Sequence, residues 1–205
     1  MKATLSHFVE SCSNLLPDDL RSILHYPHPF TDGGFVVIVD ENLTNFLEVS
    51  GTVYAVVPSG YSLHLLRSNE LDMLAAPGMF APPLHVNEMT HMPYYLKHKG
   101  ECLYGEDYRD QVPLPDTQYL LISHIEGCYD YLRRYGILSM AINQNFKGLV
   151  SALEREILLL MATAVLTKGH WEVDKSSLAD LFFTHVTTTG LANAYKKLRL
   201  IPSIP

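Results

Sequence analysis

VDKSSLADLFFTHVTTTGLANAYKKLRLI, residues 173–201, reads as two short helices joined by a tight corner. Leu178, Leu181 and Phe182 recur at i, i+3 and i+4, the spacing of one helix face. Asp174 or Ser176 can cap that helix, because a short side-chain oxygen satisfies the free N–H groups of a first turn. Thr184, His185 and Val186 are expected to turn the chain. A second helix should then run from Thr187 to Arg199, with Leu191, Ala194 or Tyr195, and Leu198 on its apolar side. The plain reading is a helical hairpin that packs one face and solvates the other. The specific reading is a helix-turn-helix, whose second helix enters a DNA major groove with its N-terminal residues leading. Thr187, Thr188, Thr189 and Asn193 would then face base edges, and Lys196, Lys197 and Arg199 would hold phosphates.

Charge outside this stretch bears on that choice. The chain has 205 residues and a net charge of −7, which argues against a protein that coats nucleic acid. From residue 175 onward Lys175, Lys196, Lys197 and Arg199 stand against Asp180, an excess of +3, which leaves −10 for the rest. An acidic body with a mildly basic end suits a module whose last segment meets phosphate. Hydrophobic content of 47% and charged content of 18% describe a globular chain, long enough for one large domain or two small ones. Cys12, Cys102 and Cys128 lie far apart with no Cys-x-x-Cys, which fits buried thiols in a reducing cytosol. An iron–sulfur centre needs four ligands, one more than the chain supplies. Residues 1–16 carry one Lys and no long apolar run, so they do not read as a signal peptide. The longest apolar run, 157–166, falls short of the roughly twenty residues that span a bilayer. A cytoplasmic chain with no membrane partner is expected.

Taken in order, residues 4–24 read as helical, first on Leu5, Phe8, Val9 and Cys12, then on Leu20, Ile23 and Leu24 after Pro17. Gly33-Gly34 opens a different pattern. Short runs of strand formers follow at 35–39, 44–49, 52–57, 62–67 and 70–75, each closed by a turn signal. That spacing is the mark of an antiparallel sandwich, roll or barrel. Two more strands are expected at 93–99 and 101–104. From Asp116 the pattern is helical, and 149–166 carries the broadest apolar stripe, ended by Lys168-Gly169. Strands followed by helices imply an α+β chain: 1–115, then connecting helices at 116–148, then 149–205.

The nucleophile elbow, the phosphate-binding loop and the dinucleotide fingerprint are all missing, so no catalytic residue is expected. His85, His91 and His98 share a segment with Glu88, but their spacing is not that of a zinc motif, and no metal or cofactor is expected. A cupin-like metalloenzyme on those histidines would be the reading if metal co-purified. Cys102, near Lys97 and Lys99, could act as a redox switch, although a buried inert thiol is the more ordinary role.

This order of elements resembles the CRP/FNR superfamily of bacterial transcription regulators. The resemblance rests on Gly51 to Val56 as an early roll strand, Pro77-Gly78-Met79-Phe80 as a turn, 149–166 as the first helix of a DNA-binding domain, and the tail with Val186 and Ala192. It is closest to degenerate members of the IprA-like type that lack a cyclic-nucleotide site. It implies an antiparallel β-roll of jelly-roll kind, a long connecting helix and a C-terminal helix-turn-helix. It also implies a DNA-binding regulator acting as a dimer through 116–148, with double-stranded DNA, and RNA polymerase or another regulator, as partners. No Arg lies between Arg67 and Arg109 to pair with a cyclic phosphate, so no cyclic nucleotide is expected. The missing corner glycine and the short run after Ile201 point the other way, to an adaptor that keeps the fold without binding DNA.

Overall fold

The computed structural model describes residues 2–28, 32–75, 91–131, 146–172 and 174–186, together with Gly190 and Asn193. The chain divides into two compact units, 1–80 with 88–114, and 81–87 with 115–205.

The first unit begins with helix α1 (Lys2–Leu15), which buries Leu5, Phe8 and Cys12. Pro17 to Asp19 turns the chain into strand β1 (Leu20–Tyr26), not into a second helix. Tertiary burial overrides the helical spacing there: only Arg21 is exposed, so the segment needs cover on both faces. Strand β2 (Gly33–Val39) is buried at every position. A continuous apolar run of β-formers such as Phe35 to Val39 is what a central strand requires.

The next element decides the topology. The strands expected at 44–49 and 52–57 are one helix, α2 (Phe46–Ala55). Its β-branched residues and Gly51 suggested strand, but Val49 and Val53, four apart, are the pair that is buried. Ser50 and Thr52 donate their hydroxyls back to the carbonyls of Phe46 and Glu48, so these polar groups are satisfied within the helix. With a helix in this place β2 can be followed by a parallel neighbour, strand β3 (Tyr61–Arg67). Residues 71–75 form a 3-10 turn, where a strand was expected. Residues 92–99 form helix α3 (Met92–Lys99), again in place of a strand, with Pro93 in its first turn where a missing N–H does no harm. Strand β4 (Glu101–Gly105) then pairs with β1.

The sheet therefore runs β3-β2-β1-β4, with β2 and β3 parallel and the other pairs antiparallel. The expected antiparallel jelly roll is corrected: a mixed four-stranded sheet with a helical crossover stands in its place. On one face Ile23, Phe35, Val37, Val39 and Leu63 join α1 and α2 in the main core. Helix α3 packs on β1.

In the second unit Asp116 accepts the Tyr119 N–H at 2.8 Å and starts helix α4 (Thr117–Tyr131). Helix α5 (Phe146–Leu166) packs against both α4 and helix α6 (Lys175–His185). Two adjoining stripes of α5 are buried, Leu158, Met161 and Val165 beside Leu159, Ala162 and Leu166. Gly169, at φ +80°, ends the segment in the left-handed conformation that favours glycine.

Asp174 caps α6 by accepting from the N–H groups of Ser176 (3.1 Å) and Ser177 (2.9 Å). The Ser176 hydroxyl, then the Ser177 contacts, hold its carboxyl down at about 2. The folded value lies below the ordinary one, so the cap's contribution is complete above about pH 4 and is lost as pH falls toward 2. Asp174→Asn retains a capping oxygen without the charge. The wild type is expected to melt higher than this variant at pH 7, with the difference closing by pH 2 in thermal melts followed by circular dichroism.

Candidate functional site

Successive residues of a strand point to opposite faces. Tyr26 of β1 and Ser62 and His64 of β3 thus share the face opposite the main core, with Gly34 of β2 between them. In register Gly34 stands between Tyr26 on one side and Ser62 on the other. A Cβ at Gly34 would collide with the Tyr26 ring and hydroxyl and with Ser62 Oγ. The missing side chain lets Tyr26 cross over β2 and reach β3. Its hydroxyl lies 3.0 Å from Ser62 Oγ and 3.0 Å from His64 Nε2. Ser62 Oγ also donates to the Gly33 carbonyl at 3.4 Å.

Burial pushes the His64 imidazole down to about 4, and His28 nearby adds to the shift. His64 is therefore neutral at physiological pH, with one nitrogen free to accept a proton and the other carrying one. His28 lies edge-on to Tyr95 of α3, with ring centroids 5.7 Å apart. At the same end of the sheet the Asp32 N–H donates to the Gly60 carbonyl at 3.0 Å. Gly60 has φ +88° and no room for a Cβ beside the Asp32 carboxylate, so the turn before β3 is held close to the start of β2. Two imidazoles, two hydroxyls and a carboxylate thus occur at one end of a sheet whose other residues are mainly apolar.

On the opposite face His25 is buried beside Phe35 and Tyr61. Neither ring nitrogen has a hydrogen-bond partner among the described residues. Burial lowers its pKa, and Glu101 opposes that effect. At 3.9 Å from Glu101, and held neutral, it is a desolvated imidazole and not an ion pair.

The residues expected to carry function are placed as follows. Asn193 is helical and exposed. Thr187, Thr188, Thr189, Lys196, Lys197 and Arg199 lie outside the described residues, as do His85 and Glu88. His91 is buried at the start of α3, while His98 is exposed in its last turn and stacks on Tyr94. Seven residues of helix separate the two by about 10 Å, too far to share an ion. Among the described residues no group of three or more His, Cys, Asp or Glu stands close enough to hold a metal. Cys12 is buried and its thiol is pushed up to about 12, so it is inert. Cys102 is partly buried in β4, with its sulfur 3.9 Å from Ser22 Oγ.

Tyr26, Ser62 and His64 were not singled out by sequence patterns. The available signal was Gly34 inside an apolar strand, since a glycine there marks the close approach of another group.

No protein-family model matches the chain, and no curated protein matches it. Among solved structures it is similar to the crystal structure of spectinomycin adenyltransferase AAD(9) from Enterococcus faecialis with ATP and spectinomycin. The identity is 11% and the TM-score 0.46, over 97% of this chain and 97% of that one. The likeness to the CRP/FNR superfamily is corrected. The sheet is mixed, with β2 and β3 parallel, and is not an antiparallel roll. The expectations of a helix-turn-helix DNA-binding regulator, of an adaptor keeping that fold, and of a protein that is no enzyme fall with it.

Proposed function

We propose that the first unit binds a small hydroxylated molecule at the Tyr26–Ser62–His64 end of its sheet, as the substrate of a group-transfer reaction. The observation that carries this reading is the trio itself: two hydroxyls and a neutral imidazole within 3.0 Å contacts across three strands. A neutral imidazole and hydroxyls can each accept or donate, so the trio can match a ligand hydroxyl in either sense. A ligand oxygen beside Ser62 would join the chain of hydrogen bonds that links Ser62, Tyr26 and His64 Nε2. Ordered neutral groups suit a polar, uncharged part of a ligand, because they need no counter-charge.

ATP and spectinomycin, present in the similar structure, are the first probes. Saturable binding of one of them is expected by titration calorimetry. Tyr26→Phe and His64→Ala should each weaken it by about tenfold or more, the effect of losing one or two hydrogen bonds in a desolvated site. If both variants bind as the wild type does, the trio is only a tie between β1 and β3. The three dispersed cysteines support a cytoplasmic location, and among the described residues no helix is long and apolar enough to cross a membrane.

A further inference from the structure

Helix α4 has one face inside the second unit and one face turned outward. Leu120 is fully buried, and α4 packs on α5. On the other side Tyr119, Ile122, Ile125 and Tyr129 are exposed by 50%, 57%, 54% and 69%. At 3.6 residues per turn these four fall within an arc of about 120°, centred on the side away from Leu120. Together they expose roughly 450 Å² of mostly apolar surface, taking ~200 Å² for each complete side chain. That is about half of the ~800 Å² that each partner buries in a stable complex. The largest apolar patch of a typical monomer is itself about 300–600 Å², so area alone does not identify an interface.

The order along the stripe specifies the occupant. Read from either end it runs Tyr, Ile, Ile, Tyr, at 119, 122, 125 and 129. A two-fold axis needs a surface that is complementary to itself, so that residue i meets j and j meets i. If two such helices cross antiparallel near residue 124, Tyr119 meets the second copy's Tyr129, and Ile122 meets the second copy's Ile125. Large residues then close both ends over a branched aliphatic centre. A partner of unrelated sequence would have no need of this symmetry.

We infer that the outward face of α4 is an isologous dimer interface, occupied by the same face of a second copy of this chain. It narrows the homodimer expected through residues 116–148 to four residues on one helix. It does not depend on the ligand proposed for the first unit.

Sedimentation equilibrium of the full chain over a wide concentration range is the test. A monomer–dimer equilibrium is expected. Ile122→Asp should weaken it by about 30-fold or more, as for the loss of a central contact residue. Tyr129→Asp, at the stripe's end, should weaken it less. Both positions are exposed, so thermal melts and circular dichroism at low concentration should match the wild type, which shows that the variants fold. Ile125→Lys serves if Ile122→Asp does not fold. A wild type that stays monomeric at every concentration overturns the proposal. A dimer that persists unchanged in the charged variants overturns it as well.

Discussion

Gly34→Ala is expected to destabilise the first unit by about 3 kcal/mol and to abolish binding at the trio. One added methyl group would collide with the Tyr26 ring, its hydroxyl and Ser62 Oγ. Tyr26 is 2% exposed and held at both contacts, so it cannot swing aside as an exposed side chain would. Overpacking of this kind costs about 1–3 kcal/mol. Moving the tyrosine also breaks two hydrogen bonds, each worth about 1 kcal/mol net, and leaves their partners desolvated. Urea unfolding of wild type and variant gives the stability difference directly. Calorimetry with the same probes shows whether binding goes with it. A variant as stable as the wild type would mean that Tyr26 does not cross β2 at this point.

Phe35→Ala should cost more, about 3–5 kcal/mol, the range for removing a fully buried aromatic ring. Phe35 is completely buried in β2, one of the two inner strands of the sheet. Its ring centroid lies 4.2 Å from that of Phe8 in α1 and 5.1 Å from that of Tyr61 in β3. It therefore joins the helix layer to both halves of the parallel pair. The imidazole of His25 packs beside it and has no hydrogen-bond partner among the described residues. Once the ring is gone, water can enter the space and solvate that imidazole, which recovers part of the loss. The denaturant midpoint should fall strongly, with little change in slope if unfolding stays two-state.

Part of the local structure was legible, and the topology was not, chiefly because residues 20–24 and 46–55 read as the wrong kind of element. Phe35 to Val39 reads as a strand because every residue is a strand former, and it is one. The caps of α4 and α6 by Asp116 and Asp174, and the glycine stop at Gly169, follow from short-range chemistry. Residues 46–55 are different. Val49, Thr52 and Val53 favour strand locally, and only the burial of Val49 and Val53 in the core with α1 and the sheet selects the helix. Misreading that segment turns a parallel crossover into an antiparallel meander, so one element changes the fold class. A second clue was present in β2, which is apolar on both faces. A half-exposed roll strand would alternate, whereas a strand covered on both sides need not. The site followed the same pattern. Ser62 and His64 share β3, but Tyr26 lies in β1, 36 residues before Ser62, and no local motif joins it to them. Pairing register alone brings them together.

The central claim is that a neutral His64, tied to Tyr26 and Ser62, is the recognition end of the sheet. Imidazole nitrogen NMR across a pH titration, without and with ATP or spectinomycin, tests it most directly. His64 should remain neutral until pH approaches about 4, with its Nε2 in the hydrogen bond to Tyr26, and its resonances should move saturably as ligand is added. A His64 that titrates near the ordinary value of about 6.5 and does not respond to either probe would contradict the account.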